Sequence, residues 1–182
     1  MLFTWLNSAP TDDFQISKID FSRGYPARGQ CRMKFSTRAD FDEPATSLYD
    51  LISDFGKLER VMVRRGASVS RIDPAQDPGT ALGWMVGFDW RGQARNMHLQ
   101  VTRFDRPERI SMWGQAGTFD VGIEMSVVAL NRARSRLIVE VDIRPKNMRA
   151  RLMVQTAKLA KPQLDRRFDR RIKEFLEQMR TA

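Results

Sequence analysis

The stretch TFDVGIEMSVVALNRARSRLIVEVDIRP (residues 118–145), followed directly by KNMRARLMVQTAKLAKPQLDRRFDRRIKEFLEQM (146–179), decides the fold. In its first half Phe119, Val121, Ile123, Met125 and Val127 take every second position. After Asn131-Arg132-Ala133-Arg134 so do Leu137, Val139, Val141 and Ile143. A period of two means strands with one buried and one wet face, and the polar tetrapeptide is the hairpin that joins them. Past Pro145 the period lengthens. Met153, Ala157, Ala160, Leu164, Phe168, Ile172, Phe175 and Met179 step by three or four, the apolar stripe of a helix of about 30 residues. Pro162 lies inside it, removes a backbone bond and crowds the carbonyl four residues back, which predicts a kink near Lys158 to Pro162. The stripe also places Phe168 and Ile172 against the sheet and leaves Arg167 and Arg171 in water.

Upstream, the strand pattern repeats. Arg109 to Gln115 is a strand, preceded by a turn at Asp105-Arg106-Pro107-Glu108. Gln93 to Phe104 puts Met97, Leu99 and Val101 on one face, and Ala81 to Trp90 does the same with Leu82, Trp84, Val86, Phe88 and Trp90. Arg91-Gly92 is the tight turn between these two. Ala67 to Asp73 is a further strand, closed by the Pro-, Asp- and Gly-rich turn Pro74 to Gly79. Before it, Leu48, Leu51, Ile52 and Phe55 recur at helical spacing. Asp42 or Glu43 is expected to cap that helix, with Pro44 in its first turn and Gly56 ending or bending it. Leu58, Val61 and Met62 continue into a second short helix closed by Gly66. Lys34 to Phe41 alternates as the first strand. Residues 1–32 show no sustained period and read as an N-terminal extension, with Met33 a candidate biological start.

One strand, two short helices, six strands and a long helix form an α+β order in which a curved antiparallel sheet buries its apolar face round the last helix. With the Phe41-Asp42-Glu43-Pro44 lead-in, the Asp105-Arg106-Pro107-Glu108-Arg109-Ile110 turn and the Leu164 to Phe175 register, this order resembles the helix-grip (SRPBCC, START-like) superfamily of polyketide cyclase/dehydrase-like and lipid-transfer proteins. The resemblance spans Met33 to Met179 and makes residues 33–182 one ligand-binding domain. It implies a cavity between the sheet and the kinked helix. The lining would come from Trp84, Val86, Phe88 and Trp90, from Met97, Leu99 and Val101, and from Ile123, Met125 and Val139. The helix would add Met153, Ala157, Ala160 and Leu164. Ala157 and Ala160 are small enough to leave room opposite Trp84, Phe88 and Trp90, and Met97, Met125 and Met153 are flexible enough to adapt to varied ligands. Taken singly, each of these side chains is better read as packed core; the cavity rests on the resemblance.

Composition narrows the function. Hydrophobic residues make up 42% of the 182 and charged ones 29%, which excludes disorder and fits one globular domain. No apolar run approaches the roughly 18 residues of a membrane span, and Met1 to Pro10 lack the basic and apolar regions of a signal peptide, so a soluble, cytoplasmic protein is expected. A single cysteine, Cys31, rules out an internal disulfide framework, and a single histidine, His98, argues against zinc; no metal and no cofactor are expected. The formal charge of +9 is concentrated between Arg149 and Arg180. Arg166, Arg167, Arg170 and Arg171 flank buried positions and are interleaved with Asp165 and Asp169, which suits a solvated, partly salt-bridged face better than nucleic acid.

No catalytic constellation stands out. His98 alternates away from Met97 and Leu99 and is expected in solvent. Glu124, Glu140 and Asp142 are expected on the wet face, where Arg136 and Arg144 can pair with them across strands. Asp89 and Arg95 lie near the Trp90–Gly92 turn, at the rim, and Tyr49 on the first helix packs rather than reacts. The function read from these residues is binding or transfer of a hydrophobic small molecule such as a lipid, quinone or polyketide-like ring. A cyclase-, dehydrase- or hydrolase-type enzyme in the same cavity is the alternative. An accessory protein docking on an anionic membrane or RNA through its basic helix is another. Oligomeric state is not fixed by the sequence.

Overall fold

A computed structural model describes residues 31–73, 77–90 and 92–181, apart from the side chain of Trp90. Most of the N-terminal extension, the Pro74–Gln76 part of one expected turn and Arg91 of the next lie outside the described residues. The order is β1 (Met33–Phe41), α1 (Ala45–Ser53), α2 (Phe55–Arg64), β2 (Ser68–Arg71), β3 (Gly83–Trp90), β4 (Gln93–Asp105), β5 (Arg109–Ala116), β6 (Phe119–Ala129), β7 (Ser135–Pro145), α3 (Met148–Leu159) and α4 (Lys161–Thr181). The strands form one curved antiparallel sheet in the order β1-β7-β6-β5-β4-β3-β2. Consecutive strands pair as a meander, and the first strand closes on the last, Thr37 opposite Val139. The α1–α2 excursion carries the chain from one sheet edge to the other.

The alternation read from sequence fixes which side of the sheet is buried. Leu82, Trp84, Val86, Leu99, Val101, Ile110, Val121 and Leu137 all turn into one core beneath α1, α2 and α4. On α4 the stripe Leu164, Phe168, Ile172, Leu176 and Met179 is buried. Phe168 lies 5.4 Å, ring centre to ring centre, from Phe35 of β1. Beside it the Thr37 hydroxyl donates to the Asp169 carboxylate, so the helix is pinned to β1 by one apolar and one polar contact. Phe175 is only half-buried and lies under the Arg65 guanidinium at 5.4 Å; Leu176 takes the core position instead.

Three local expectations are corrected. Neither Asp42 nor Glu43 caps α1: Pro44 occupies the N-cap with ψ 152° and no side-chain cap bond forms. The two carboxylates are drawn elsewhere, Asp42 to Arg134 at 3.0 Å and Glu43 to Arg180 at 3.3 Å. Gly56 neither ends nor bends a helix but sits inside α2, because Asp54 closes α1 and caps α2 by accepting from the Lys57 amide at 2.9 Å. The expected kink is a full break at Ala160. Pro162 then falls in the first turn of α4, where its missing N–H leaves no helical bond unmade. No helix among the described residues is long and apolar enough to cross a membrane.

Two outcomes follow from the α4–β1 contact. Phe168→Ala should cost about 3–5 kcal/mol of a total of roughly 5–15, whereas exposed Arg166→Ala should stay within about half a kcal/mol; denaturant melts compare them. The Asp169 carboxyl is held below its ordinary 3.8, first by the Thr37 hydroxyl and then by Lys173. Its folded pKa is depressed, so its contribution is complete above the ordinary value and is lost as pH falls through the lower folded value. Asp169→Asn should therefore destabilise the domain at neutral pH, and the gap to the parent should narrow as the medium is acidified below the ordinary value, read in urea melts.

Candidate functional site

Strand register arranges the inward side chains in rows across the sheet. One row runs Val101, Met112, Ile123, Val141, Phe35 through β4, β5, β6, β7 and β1. The next runs Trp84, Leu99, Gly114, Val121, Ile143, Met33. Gly114 leaves a gap in the row that the neighbouring Met97 and Leu99 side chains approach, with Met97 Sδ 3.1 Å from where a Cβ would stand. Val101 and Val121 are closed off from solvent. Ile123, on an interior strand and on the same inward face, is only half-buried, and so are Phe35 and Ile143.

The expected lining residues fall into two groups. Trp84, Val86, Met97, Leu99, Val101, Met125 and Val139 are buried in the main core, with Phe88 and Ile123 half-buried against it. Leu164, with Met153, Ala157 and Ala160 around it, belongs to a second cluster with Met33, Phe119, Ala150 and Val154, where α3 covers one end of the sheet. The side chain of Trp90 lies outside the described residues. Trp84 is fully buried beneath α2. Its ring packs on Phe55 at 5.2 Å, and its indole N–H donates to Glu59 at 2.7 Å, a carboxylate that also receives Arg71 at 2.7 Å. The sequence offered no link between Glu59, Arg71 and Trp84, since the three lie on separate elements. The half-buried Phe35 and Ile143 were legible as inward strand positions, but nothing in the alternation marks which inward side chains keep contact with solvent.

Ionisable groups sort by face. Arg95 pairs with Phe88 in register and so shares the inward face with Met97, near the β3–β4 turn; its guanidinium donates to Gln93 at 2.6 Å. Arg71, likewise inward, is held by Glu59. Asp89 points outward and is exposed. His98 is outward as expected, yet half-buried rather than in open solvent, flanked in register by Met85 and Gln115; this burial pushes its imidazole pKa down. Arg136 pairs with Asp40 of β1 at 2.6 Å, and Glu124 faces Arg109 at 3.5 Å. Arg144, expected in solvent, is buried over the Trp113 ring at 5.6 Å and bonds Asp142 along its own strand at 2.9 Å. Asp120 is also half-buried, and burial pushes its carboxyl up against the opposing pull of Lys146. On α4 the expected ladder is present: Lys173 with Asp169 at 2.9 Å and Arg170 with Glu174 at 3.9 Å. Arg167 is exposed and Arg171 half-buried.

No family model matches the sequence, and no curated protein matches it. Solved structures do. The protein TTHA0849 from Thermus thermophilus is similar with a TM-score of 0.61 at 12% identity, over 82% of this chain and 99% of that one. The Zhui aromatase/cyclase from Streptomyces sp. R1128 gives 0.57 at 12%, over 82% and 94%. A norcoclaurine synthase point mutant from Thalictrum flavum gives 0.56 at 13%, over 74% and 91%. At these identities the likeness is one of fold, and the fold is the helix grip.

Tyr49 supplies the test of its own role. It is fully buried, packs edge-on to Phe104 at 5.8 Å, and its hydroxyl has no hydrogen-bond partner among the described residues; burial pushes its pKa up. An unpaired buried polar group costs about 1–3 kcal/mol, so Tyr49→Phe should hold or raise the denaturant midpoint with an unchanged slope. A fall of more than about 1 kcal/mol would show that the hydroxyl has a partner, such as an enclosed water.

Proposed function

We propose that this helix-grip domain binds or transfers a hydrophobic small molecule, such as a lipid, quinone or polyketide-like ring, held between the inward sheet face and the α3–α4 unit. The observation that carries the reading is Ile123. An inward side chain on an interior strand that still meets solvent is incompletely covered by the helices, and Phe35, beyond Val141 in the same row, and Ile143, in the next, are half-buried as well. Met112 and Met125 beside it, and Met153 in the cluster with Ile143, are unbranched and polarizable, suited to ligands of varied outline. Arg95 adds a cation to the β3–β4 end of a mostly apolar inward face, an arrangement by which such pockets orient a ligand. A guanidinium offers only hydrogen-bond donors, in a fixed fork, so Arg95 suits anchoring of an anionic or carbonyl-bearing head. A cyclase-type enzyme would use this same space; the name of the Zhui aromatase/cyclase is what favours that second reading.

Native mass spectrometry of protein purified from cells should show an added mass that organic extraction removes. Ile123→Trp, which fills the proposed space, should lower that occupancy while leaving a cooperative melt. A parent protein that carries no extra mass and takes up no apolar fluorescent probe ends the proposal.

A further inference from the structure

The outer face of α3 carries a feature that a ligand-binding interior does not use. The helix already spends one face on the fold: Ala150 and Val154 are buried, with Met153 and Ala157 half-buried, against Met33, Phe119 and Leu164. Its opposite face is largely apolar as well. Met148, Leu152 and Leu159 are 74%, 65% and 87% exposed, the three most exposed large hydrophobic side chains among the described residues. At about 100° per residue they fall within roughly 40° of one another, a stripe along the helix into which one polar side chain, the exposed Gln155, is set. Arg149 flanks the stripe on one side and Arg151 and Lys158 on the other, with the Arg151 guanidinium reaching back to the Met148 sulfur at 3.9 Å. The sequence of α3, MRARLMVQTAKL, contains no acidic residue, and among the described residues no carboxylate is in ion-pair contact with these three cations. On α4, by contrast, four of the cations, Lys161, Lys173, Arg170 and Arg180, each face a carboxylate on the same helix.

We propose that the outer face of α3 docks on an anionic lipid bilayer, with Met148, Leu152 and Leu159 entering the headgroup boundary and Arg149, Arg151 and Lys158 meeting lipid phosphates. The charge pattern selects this occupant. Cations on both sides of an aliphatic stripe, with no counter-charge of their own, complement a plane of phosphates above hydrocarbon. Long basic side chains reach outward to the headgroups while their stems stay with the stripe. Three aliphatic side chains are far less than the roughly 800 Å² per partner of a stable protein interface. Nucleic acid would be met by exposed aromatics for stacking, which this face lacks. The Arg166–Arg171 segment of α4, the strongest basic run in the sequence, is therefore not the docking face. The inference stands apart from the proposed cargo, since it uses only the outside of α3.

Co-sedimentation of the full chain with vesicles tests it. The protein should pellet with phosphatidylcholine vesicles containing about 30 mol% phosphatidylglycerol and much less with phosphatidylcholine alone. Raising salt from about 0.05 to about 0.5 M should release most of it. The double variant Leu152→Glu/Leu159→Glu should weaken binding by about tenfold or more with an unchanged thermal melt, because it sets charge where the stripe must enter the headgroups. Arg149→Gln/Arg151→Gln/Lys158→Gln should weaken binding and flatten its salt dependence. Arg166→Gln/Arg170→Gln, the control on α4, should leave binding within about twofold. Absent binding to anionic vesicles overturns the proposal, as does binding that the α4 pair abolishes while the α3 variants preserve it. A concentration-dependent dimer dispersed by Leu159→Glu would instead identify a second copy as the occupant and overturn it too.

Discussion

An antiparallel sheet whose inward rows are Val, Leu, Ile, Met and aromatic residues cannot stand in water on both sides, and everything else in this molecule answers to that requirement. The cover is assembled from two directions. Of the α1–α2 excursion, α1 lies against β6 and β7 and α2 over β2 and β3, where Phe55 and the Glu59–Trp84 bond fasten it. From the other direction α4 lies on β1 through Phe168, Phe35 and the Thr37–Asp169 bond. Because β1 pairs with β7, the helix that follows β7 meets the strand that opens the domain, and the two ends of the fold secure one another.

The break at Ala160 follows from the same requirement. A straight helix of about 30 residues would span about 45 Å, whereas seven strands about 4.8 Å apart span roughly 30 Å, so one end would leave the core. Splitting it lets α3 turn over the end of the sheet at Phe119, Ile143 and Met33 while α4 continues along β1. Pro162 tolerates this because it sits in the first turn of the new helix. The turn leaves α3 with an inner face used for closure and an outer face that nothing among the described residues covers.

The polar surface shows how charge is distributed around that apolar centre. Many cations are matched locally: Arg136 to Asp40, Arg144 to Asp142, Arg71 to Glu59, and several on α4 to acids one turn away. The exposed pairs contribute little stability individually, so their value lies in orienting side chains. On α3 the helix itself supplies no acid to match Arg149, Arg151 and Lys158.

The sequence by itself determined the strand faces, the place of the hairpins, and the burial of Leu164, Phe168, Ile172 and Met179, because side-chain period is a local property that one dimension records completely. It did not reveal that Leu176 would replace Phe175 in the core, since the two sit on the edge of the same stripe and only the position of Arg65 separates them. Nor could it show that Trp84 lies under α2 while Ala157 and Ala160 close the far end with Leu164, because both groups read as inward-facing and differ only in which element lies above them. The inward placement of Arg95 likewise came from its pairing with Phe88, a register that composition near a turn leaves open. The lack of a side-chain cap on α1 was decided by distant partners, Arg134 and Arg180 drawing Asp42 and Glu43 away from the helix end. Periodicity tells each residue which way to face; only the closed fold decides what it faces, because that depends on chain segments separated by most of the sequence.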